Sequence, residues 1–311
     1  MIIAIDGRVL NDSAGKAVYT KSVLLALSKF SEHQYRVYGF VPTEDEHWPP
    51  NWQFTPINSK WQRWQVFKKL REDVLFSPSS YLTTILSNIP TLTTVHDLVV
   101  YQTKSKLPLK TVLAEKYLLK KALKKSVAIT VQTNSVRKDL AQHFPNFQSK
   151  IKVVKPGVSS TVNRQQLPDQ TKQQDILKRL EIDKPYLLFV GTIEPRKNIS
   201  RLIQAFEVLP TETSGQTQLV LAGKIGWQDA QLKSTLSRLP QRVLLVGRVN
   251  DLQLSTLYEN CTAVVYPSLY EGVGYPVLEA FYWQKPVVTS NTSSMAEIGE
   301  GAAVLVNPNS I

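Results

Sequence analysis

The residues with the most chemistry in them fall within residues 268–286, SLYEGVGYPVLEAFYWQKP. Glu271 and Glu279 stand there with seven residues between them. One lies in a loop and the other one turn into a helix, and carboxylates so placed are good acceptors for sugar hydroxyls. A strand-like run at 261–267, CTAVVYP, leads into a turn that carries Gly272 and Gly274. Pro276 then opens a helix that reads on to Trp283. Proline suits the first helical turn because its missing N–H is unpaired there in any case. The two glycines let the backbone approach a ligand closely. A strand, a glycine turn and a helix start together present free N–H groups and a positive dipole end, which suits phosphate or another anion. An anion-binding end beside two hydroxyl-binding carboxylates suits a nucleotide sugar.

A second charged group lies upstream. YLLFV at 186–190 reads as a buried strand and 198–209 as an amphipathic helix, with Gly191, Glu194, Pro195, Arg196 and Lys197 between them. Two adjacent cations at such a junction suit a diphosphate, since arginine offers a planar fork and lysine a point charge. In the first half, TLTTV at 91–95 reads as a strand with His96 and Asp97 at its carboxyl end. Ligands of open α/β sheets sit beyond that end, which makes His96 a candidate site residue. Asp97 is open to two roles, orienting the imidazole or capping the following turn.

These groups need a scaffold of alternating strands and helices. IIAID at 2–6 leads through a small-residue loop at 7–19 into a helix at 17–30, the first unit of a doubly wound sheet. Further strands read at 35–41, 74–76, 128–132 and 151–154, and in the second half at 218–222, 243–246 and 287–291. Residues 42–59 read as a loop rich in proline and tryptophan. The first loop lacks GxGxxG, so a dinucleotide cofactor is disfavoured.

The Glu271–Glu279 motif, with GVGYPVLEA filling it, resembles the paired-glutamate motif of retaining GT-B glycosyltransferases, family four. Val273 stands where the usual form has Phe. EPRKN at 194–198 resembles that family's donor-phosphate loop, TVHDL at 94–98 its acceptor-side His-Asp, and KVVKPGV at 152–158 the end of its first domain. Gly15 matches one glycine of its first loop. The resemblance implies an α/β, GT-B fold of two Rossmann-like domains facing a cleft: an acceptor-side domain at 1–160, a linker at 161–184 and a nucleotide-sugar domain at 185–311. It implies His96, Glu271, Arg196 and Lys197 as catalytic residues. It assigns Gly15, Asp97, Gly191, Gly272, Val273, Gly274 and Glu279 to donor binding. The reaction implied is transfer of a hexose from a GDP- or UDP-sugar to a glycan or lipid-linked acceptor, with retention and with no cofactor or metal. The DGR, HDL and EPRKN set leans toward mannosyltransferase-like relatives. The family normally continues with several more helices, so the chain is expected to be C-terminally short. A non-catalytic scaffold of the same fold is the other reading.

Charge is uneven along the chain. The net charge is +12, and residues 1–160 hold 23 Lys+Arg against 11 Asp+Glu, whereas 161–311 hold 14 against 14. The excess asks for an acidic partner in the first half. KWQRWQVFKKL at 60–70 has the pattern of a basic amphipathic helix at a membrane surface, or of a helix docked on its own domain with solvated cations. A lysine-dense helix within 104–125 is a second surface for an anionic membrane. No nucleic-acid motif accompanies these lysines, so nucleic acid is not an expected partner. One cysteine, Cys261, excludes an intrachain disulfide. The expected location is the cytoplasm, with peripheral contact at the inner membrane face.

Overall fold

In the computed structural model, residues 1–11, 15–43, 47–102, 109–158, 164, 167–210 and 216–311 are described. The chain forms two compact units, Met1–Gly157 and Val158–Ile311. Lys104 and Lys106 of the lysine-dense stretch lie outside the described residues.

The first unit is a parallel sheet of β1 (Ile2–Asp6), β2 (Gln34–Tyr38), β3 (Trp52–Thr55), β4 (Val74–Ser77), β5 (Thr91–Thr94), β6 (Ala128–Val131) and β7 (Ile151–Val153). Their order is β3-β2-β1-β4-β5-β6-β7. Helices α1 (Gly15–Leu27), α2 (Lys60–Lys68), α3 (Tyr81–Leu86), α4 (Val99–Gln102), α5 (Leu109–Lys125) and α6 (Asn134–His143) connect the strands. The second unit is a parallel sheet of β8 (Tyr186–Val190), β9 (Gln218–Ala222), β10 (Val243–Gly247), β11 (Ala263–Tyr266), β12 (Val287–Ser290) and β13 (Val304–Val306). Here the order is β10-β9-β8-β11-β12-β13. Its helices are α7 (Gln170–Arg179), α8 (Ile199–Glu207), α9 (Ala230–Leu236), α10 (Asp251–Asn260), α11 (Tyr275–Tyr282) and α12 (Ser293–Gly299).

Strands covered by helices on both faces read as apolar runs rather than as alternation. β9, QLVLA, is buried at all five positions. In each sheet the strand order reverses once, between β1 and β4 and between β8 and β11. Such a reversal leaves a crevice at the carboxyl ends of the two strands, where a doubly wound sheet binds its ligand. Both units are Rossmann-like α/β folds of this kind.

Three elements depart from the sequence reading. The expected loop at 42–59 contains the edge strand β3, whose Trp52 is buried and stacks on Tyr35 of β2 at 4.3 Å between ring centroids. A strand of four residues is too short to show a period, and the cross-strand aromatic pair supplies the stability. α3 follows SPSS, with the Ser80 hydroxyl accepting from Thr83 N. In the stretch read as a linker at 161–184, Leu167, Leu177, Leu180 and Ile182 pack on the core of the second unit.

Candidate active site

At the reversal in the second sheet, the turn after β8 and the loop after β11 meet. The turn is a short 3-10 helix, Pro195–Lys197, preceded by Glu194. It is stitched to the β11 loop by Leu269 N donating to Arg196 O (2.9 Å), the Ser268 hydroxyl donating to Arg196 O (3.1 Å) and Arg196 Nη1 donating to Tyr270 O (2.8 Å). Asn198 then takes a left-handed conformation, φ 63°, which frees its side chain to tie the turn down. Its Nδ2 donates to Pro267 O (3.1 Å) and to Pro308 O (2.7 Å).

This stitching brings four of the charged side chains together. Lys197 Nζ lies 2.5 Å from Glu271 Oε1, Arg196 Nη1 2.7 Å from Glu271 Oε2, and Arg196 Nη2 2.6 Å from Glu194 Oε1. Lys197 and Glu271 side chains are each only 9% exposed, while Arg196 and Glu194 keep 22% and 24%. The Ser268 hydroxyl also donates to Glu271 Oε1 (2.6 Å), and the Tyr266 hydroxyl lies against both Glu271 and Lys197. Burial works to raise the Glu271 carboxyl, but Lys197, Arg196 and the Ser268 hydrogen bond outweigh it and hold it at about 2. Burial also pulls the Lys197 ammonium down, with Glu271 opposing it. Burial works against Arg196 as well, and Glu271 and Glu194 more than offset that. The cluster is a four-charge network in which Arg196 keeps the greater reach to solvent of the two cations.

The loop 271–274 is fixed from below by α12. Glu271 N donates to the Ser293 hydroxyl (3.2 Å), and the Ser294 hydroxyl donates to the carbonyls of Glu271 (2.8 Å) and Val273 (3.1 Å). Gly272 and Val273 are buried. Gly274, at φ 85°, heads α11, and a Cβ there would overlap the Met295 side chain. Pro276 is the second residue of α11, as its helix-starting role requires. Gly191, at φ 147°, ends β8 beside the rings of Phe189 and Tyr266. Glu279 has a separate partner set. It is buried, Tyr258 donates to its Oε2 (2.7 Å), and burial raises its carboxyl despite that bond.

In the first unit, His96 follows β5. Its Nε2 donates to Pro78 O (2.6 Å), a carbonyl that can only accept, and its Nδ1 therefore accepts from Gln132 Nε2 (2.8 Å). Burial, and next the charge of Lys16, lower the imidazole to about 4. His96 is thus a neutral imidazole of fixed tautomer, with both nitrogens engaged and Tyr19 packed edge-on at 5.0 Å. It has no free nitrogen for acid–base work. Asp97 Oδ1 accepts from Val99 N (3.2 Å), which is the capping alternative. Gly15 begins α1, is exposed, and has open space where a Cβ would stand.

Sequence reasoning missed several partners. Arg8 binds buried Asp6 through two nitrogens (2.8 and 2.6 Å), and Arg8 and Asp6 both bond the Thr83 hydroxyl (2.6 and 2.7 Å). This network closes the β1–β4 reversal of the first sheet. The DGR triplet at 6–8 was its signal, but Thr83 lies in the helix that was not expected. Tyr258, Tyr266 and Gln132 were missed because they sit on elements whose apolar pattern conceals a single polar tip.

Residues 21–161 match the family described as Glycosyltransferase Family 4, and residues 171–311 match the family described as Glycosyl transferases group 1. The chain belongs to the group 1/family 4 glycosyltransferases, and its fold class is GT-B. The O-antigen chain mannosyltransferase B of Escherichia coli is 41% identical over 128 residues, 40% of this chain and 34% of that protein. The chain therefore aligns with about a third of that curated relative. The structure of sucrose-phosphate synthase (tll1590) from Thermosynechococcus elongatus has a TM-score of 0.72 at 21% identity, covering 99% of this chain and 86% of that one. The Anabaena Alr3699/HepE structure in complex with UDP-glucose has a TM-score of 0.73 at 16% identity, again covering 99% and 86%. At these identities the two structures speak to fold.

Proposed function

We propose that the chain transfers a hexose, with mannose the favoured sugar, from a nucleotide-sugar donor to a glycan or lipid-linked acceptor. The setting is cell-surface polysaccharide synthesis on the cytoplasmic side of a membrane, and the anomeric configuration is retained. The observation that carries this reading is the Arg196–Lys197–Glu271 network at the strand-order reversal of the second sheet. The likeness to an O-antigen chain mannosyltransferase supports the sugar and the setting.

In this reading the second unit takes the donor and the first the acceptor. The bond between the anomeric carbon and the diphosphate oxygen breaks, and the diphosphate leaves with the electron pair. The acceptor hydroxyl forms the new bond, and its proton passes to the departing diphosphate. The step needs a stabilised leaving group. Arg196, Lys197 and the N-terminal end of α11 after Gly274 supply it. Both cations are already matched by Glu194 and Glu271, so a diphosphate must displace part of that pairing. Arg196, the more exposed cation, turns to the phosphates first. Glu271 then exchanges ion pairing for hydrogen bonds to donor-sugar hydroxyls. Glu279 holds the ribose and Gly191 admits the donor at the end of β8, while Gly15, His96 and Asp97 are the donor-binding candidates of the first unit. His96 serves by position, as a neutral ring.

A thermal-shift panel of nucleoside diphosphates and their sugars tests this. A ligand at about 100 times its dissociation constant adds roughly 2.7 kcal/mol of stability. A shift confined to one base supports the donor site and identifies the nucleotide. No shift with any of them, on folded protein, removes the reading.

A further inference from the structure

Two helices of the first unit hold aromatic rings in solvent among lysines, in the same arrangement. On α2, Trp61 is 65% exposed and Trp64 40%, their rings stacked at 5.2 Å and 14°, with the Lys68 ammonium 4.1 Å from the Trp64 centroid. On α5, Leu113 and Tyr117 are exposed by 59% and 58%, and the Lys121 ammonium lies 4.4 Å from the Tyr117 centroid. Spacings of three or four residues put Trp61, Trp64 and Lys68 on one stripe, and Leu113, Tyr117 and Lys121 on another. The flank of α2 beside this stripe is occupied, with Phe67 fully buried in the core beside Leu70 and Leu75 and Val66 packed against them. The C-terminal ends of the two helices are tied to α3 and the turn after it. Lys125 Nζ, at the end of α5, donates to Ile85 O (2.6 Å), and Asn88 bonds both N and O of Leu70 (3.0 Å each), just past α2. Lys68 is near enough to push the Lys125 ammonium down, second to burial.

Residues 60–71 hold Lys60, Arg63, Lys68, Lys69 and Arg71 and no acidic residue. α5 holds six lysines against Glu115 alone. So many like charges repel one another unless an anionic surface faces them. Apolar and aromatic groups flanked by lysine are the chemistry of a helix lying in a headgroup layer, its rings at the acyl boundary and its cations on phosphates. Nucleic acid fits less well, because Trp64 is already partnered by Trp61 and Lys68, and one face of Tyr117 by Lys121. We propose that α2 and α5 form a single docking surface for an anionic phospholipid bilayer, with Trp61, Trp64, Leu113 and Tyr117 entering the headgroup region. None of these residues belongs to the donor site, so this surface stands or falls apart from the nucleotide-sugar reading.

The test is flotation of the full chain with vesicles of phosphatidylcholine alone and of phosphatidylcholine mixed with phosphatidylglycerol. Binding is expected only to the mixed vesicles. It should weaken as salt rises from about 0.1 M to about 1 M, which shortens the screening length from roughly 10 Å to roughly 3 Å. Lys68→Glu with Lys121→Glu should weaken binding at least about ten-fold, since each basic residue near such a surface contributes roughly five-fold. Trp61→Ser with Trp64→Ser should abolish the salt-resistant part. Both pairs alter exposed side chains, and unchanged melting temperature and nucleoside-diphosphate affinity would show that fold and donor site are intact. Equal binding to neutral vesicles, full binding by either double variant, or binding to a single-stranded oligonucleotide in place of vesicles would each overturn the proposal.

Discussion

Glu271 and Lys197 are 74 residues apart in the chain and 2.5 Å apart in space, and both are almost wholly withdrawn from water. Glu271 is the counter-ion of Lys197 and, through its other oxygen, of Arg196. Removing the partner of a buried charge costs about 3–5 kcal/mol. Glu271→Ala should lose stability of that order in urea unfolding, Lys197→Met should lose less because Arg196 still pairs with Glu271, and the double variant should recover part of the Glu271→Ala loss. A double variant as unstable as the sum of the singles would show that the pair is not coupled. Glu271→Ala should also abolish transfer, and that loss counts only on protein shown to be folded.

Arg196 presents a fork, and its two terminal nitrogens already hold separate oxygens of Glu271 and Glu194. Arg196→Lys keeps the charge and removes the fork. We expect about ten-fold weaker binding of the nucleoside diphosphate, the loss of one charge-assisted hydrogen bond, with binding of the nucleoside alone unchanged. Titration calorimetry of the two ligands checks this. Equal loss for both would move Arg196 from the phosphates to the base or ribose.

The half-buried His96 predicts a pH dependence of stability. Its folded value is lowered to about 4 from an ordinary 6.5, so between those values the unfolded chain binds the proton and the folded chain does not. Stability should therefore fall as pH drops from about 6.5 toward 4, by at most about 3 kcal/mol from this residue. His96→Asn should flatten that part of the stability profile. A wild-type profile that is level over this range would mean that His96 is protonated in the fold.

How far the sequence reaches is clear at these same positions. Glu271, Arg196 and Lys197 were legible as candidates because they stand at strand–helix junctions, where the two cations suit a diphosphate and the carboxylate suits sugar hydroxyls. Their mutual pairing was not, because it depends on which strands lie side by side, and β8 and β11 are neighbours only through the reversal of order. The buried strands were legible as apolar runs. β3 was not, because its stability comes from Trp52 stacking on Tyr35 of another strand. For α2 the sequence left two readings, a helix docked on its own domain or one facing a membrane. Phe67 is buried in the core while Trp61 and Trp64 stay in solvent, so the first reading accounts for Phe67 and leaves the two tryptophans open.

Gly274 should tolerate no side chain. Its φ of 85° penalises any L residue by about 1–2 kcal/mol, and a Cβ would also meet the fully buried Met295. Gly274→Ala should lower stability by more than that conformational cost. Adding Met295→Ala should not restore it, since the second change opens a cavity and leaves the strain. A neutral Gly274→Ala in thermal unfolding would show that the turn relaxes.

Asn198 fastens three things with one amide: the turn that carries the two cations, the end of β11 through Pro267, and the segment after β13 through Pro308. Residues 307–309 therefore sit far along the chain from Arg196 and Lys197 but share their anchor. Substitutions in that outer segment are not free to drift as surface changes do. In an evolving sequence, the changes expected to loosen this anchor are at Asn198 and at Arg201, whose Nη1 also donates to Pro308 O at 3.0 Å, because the main-chain acceptor of Pro308 survives a substitution there.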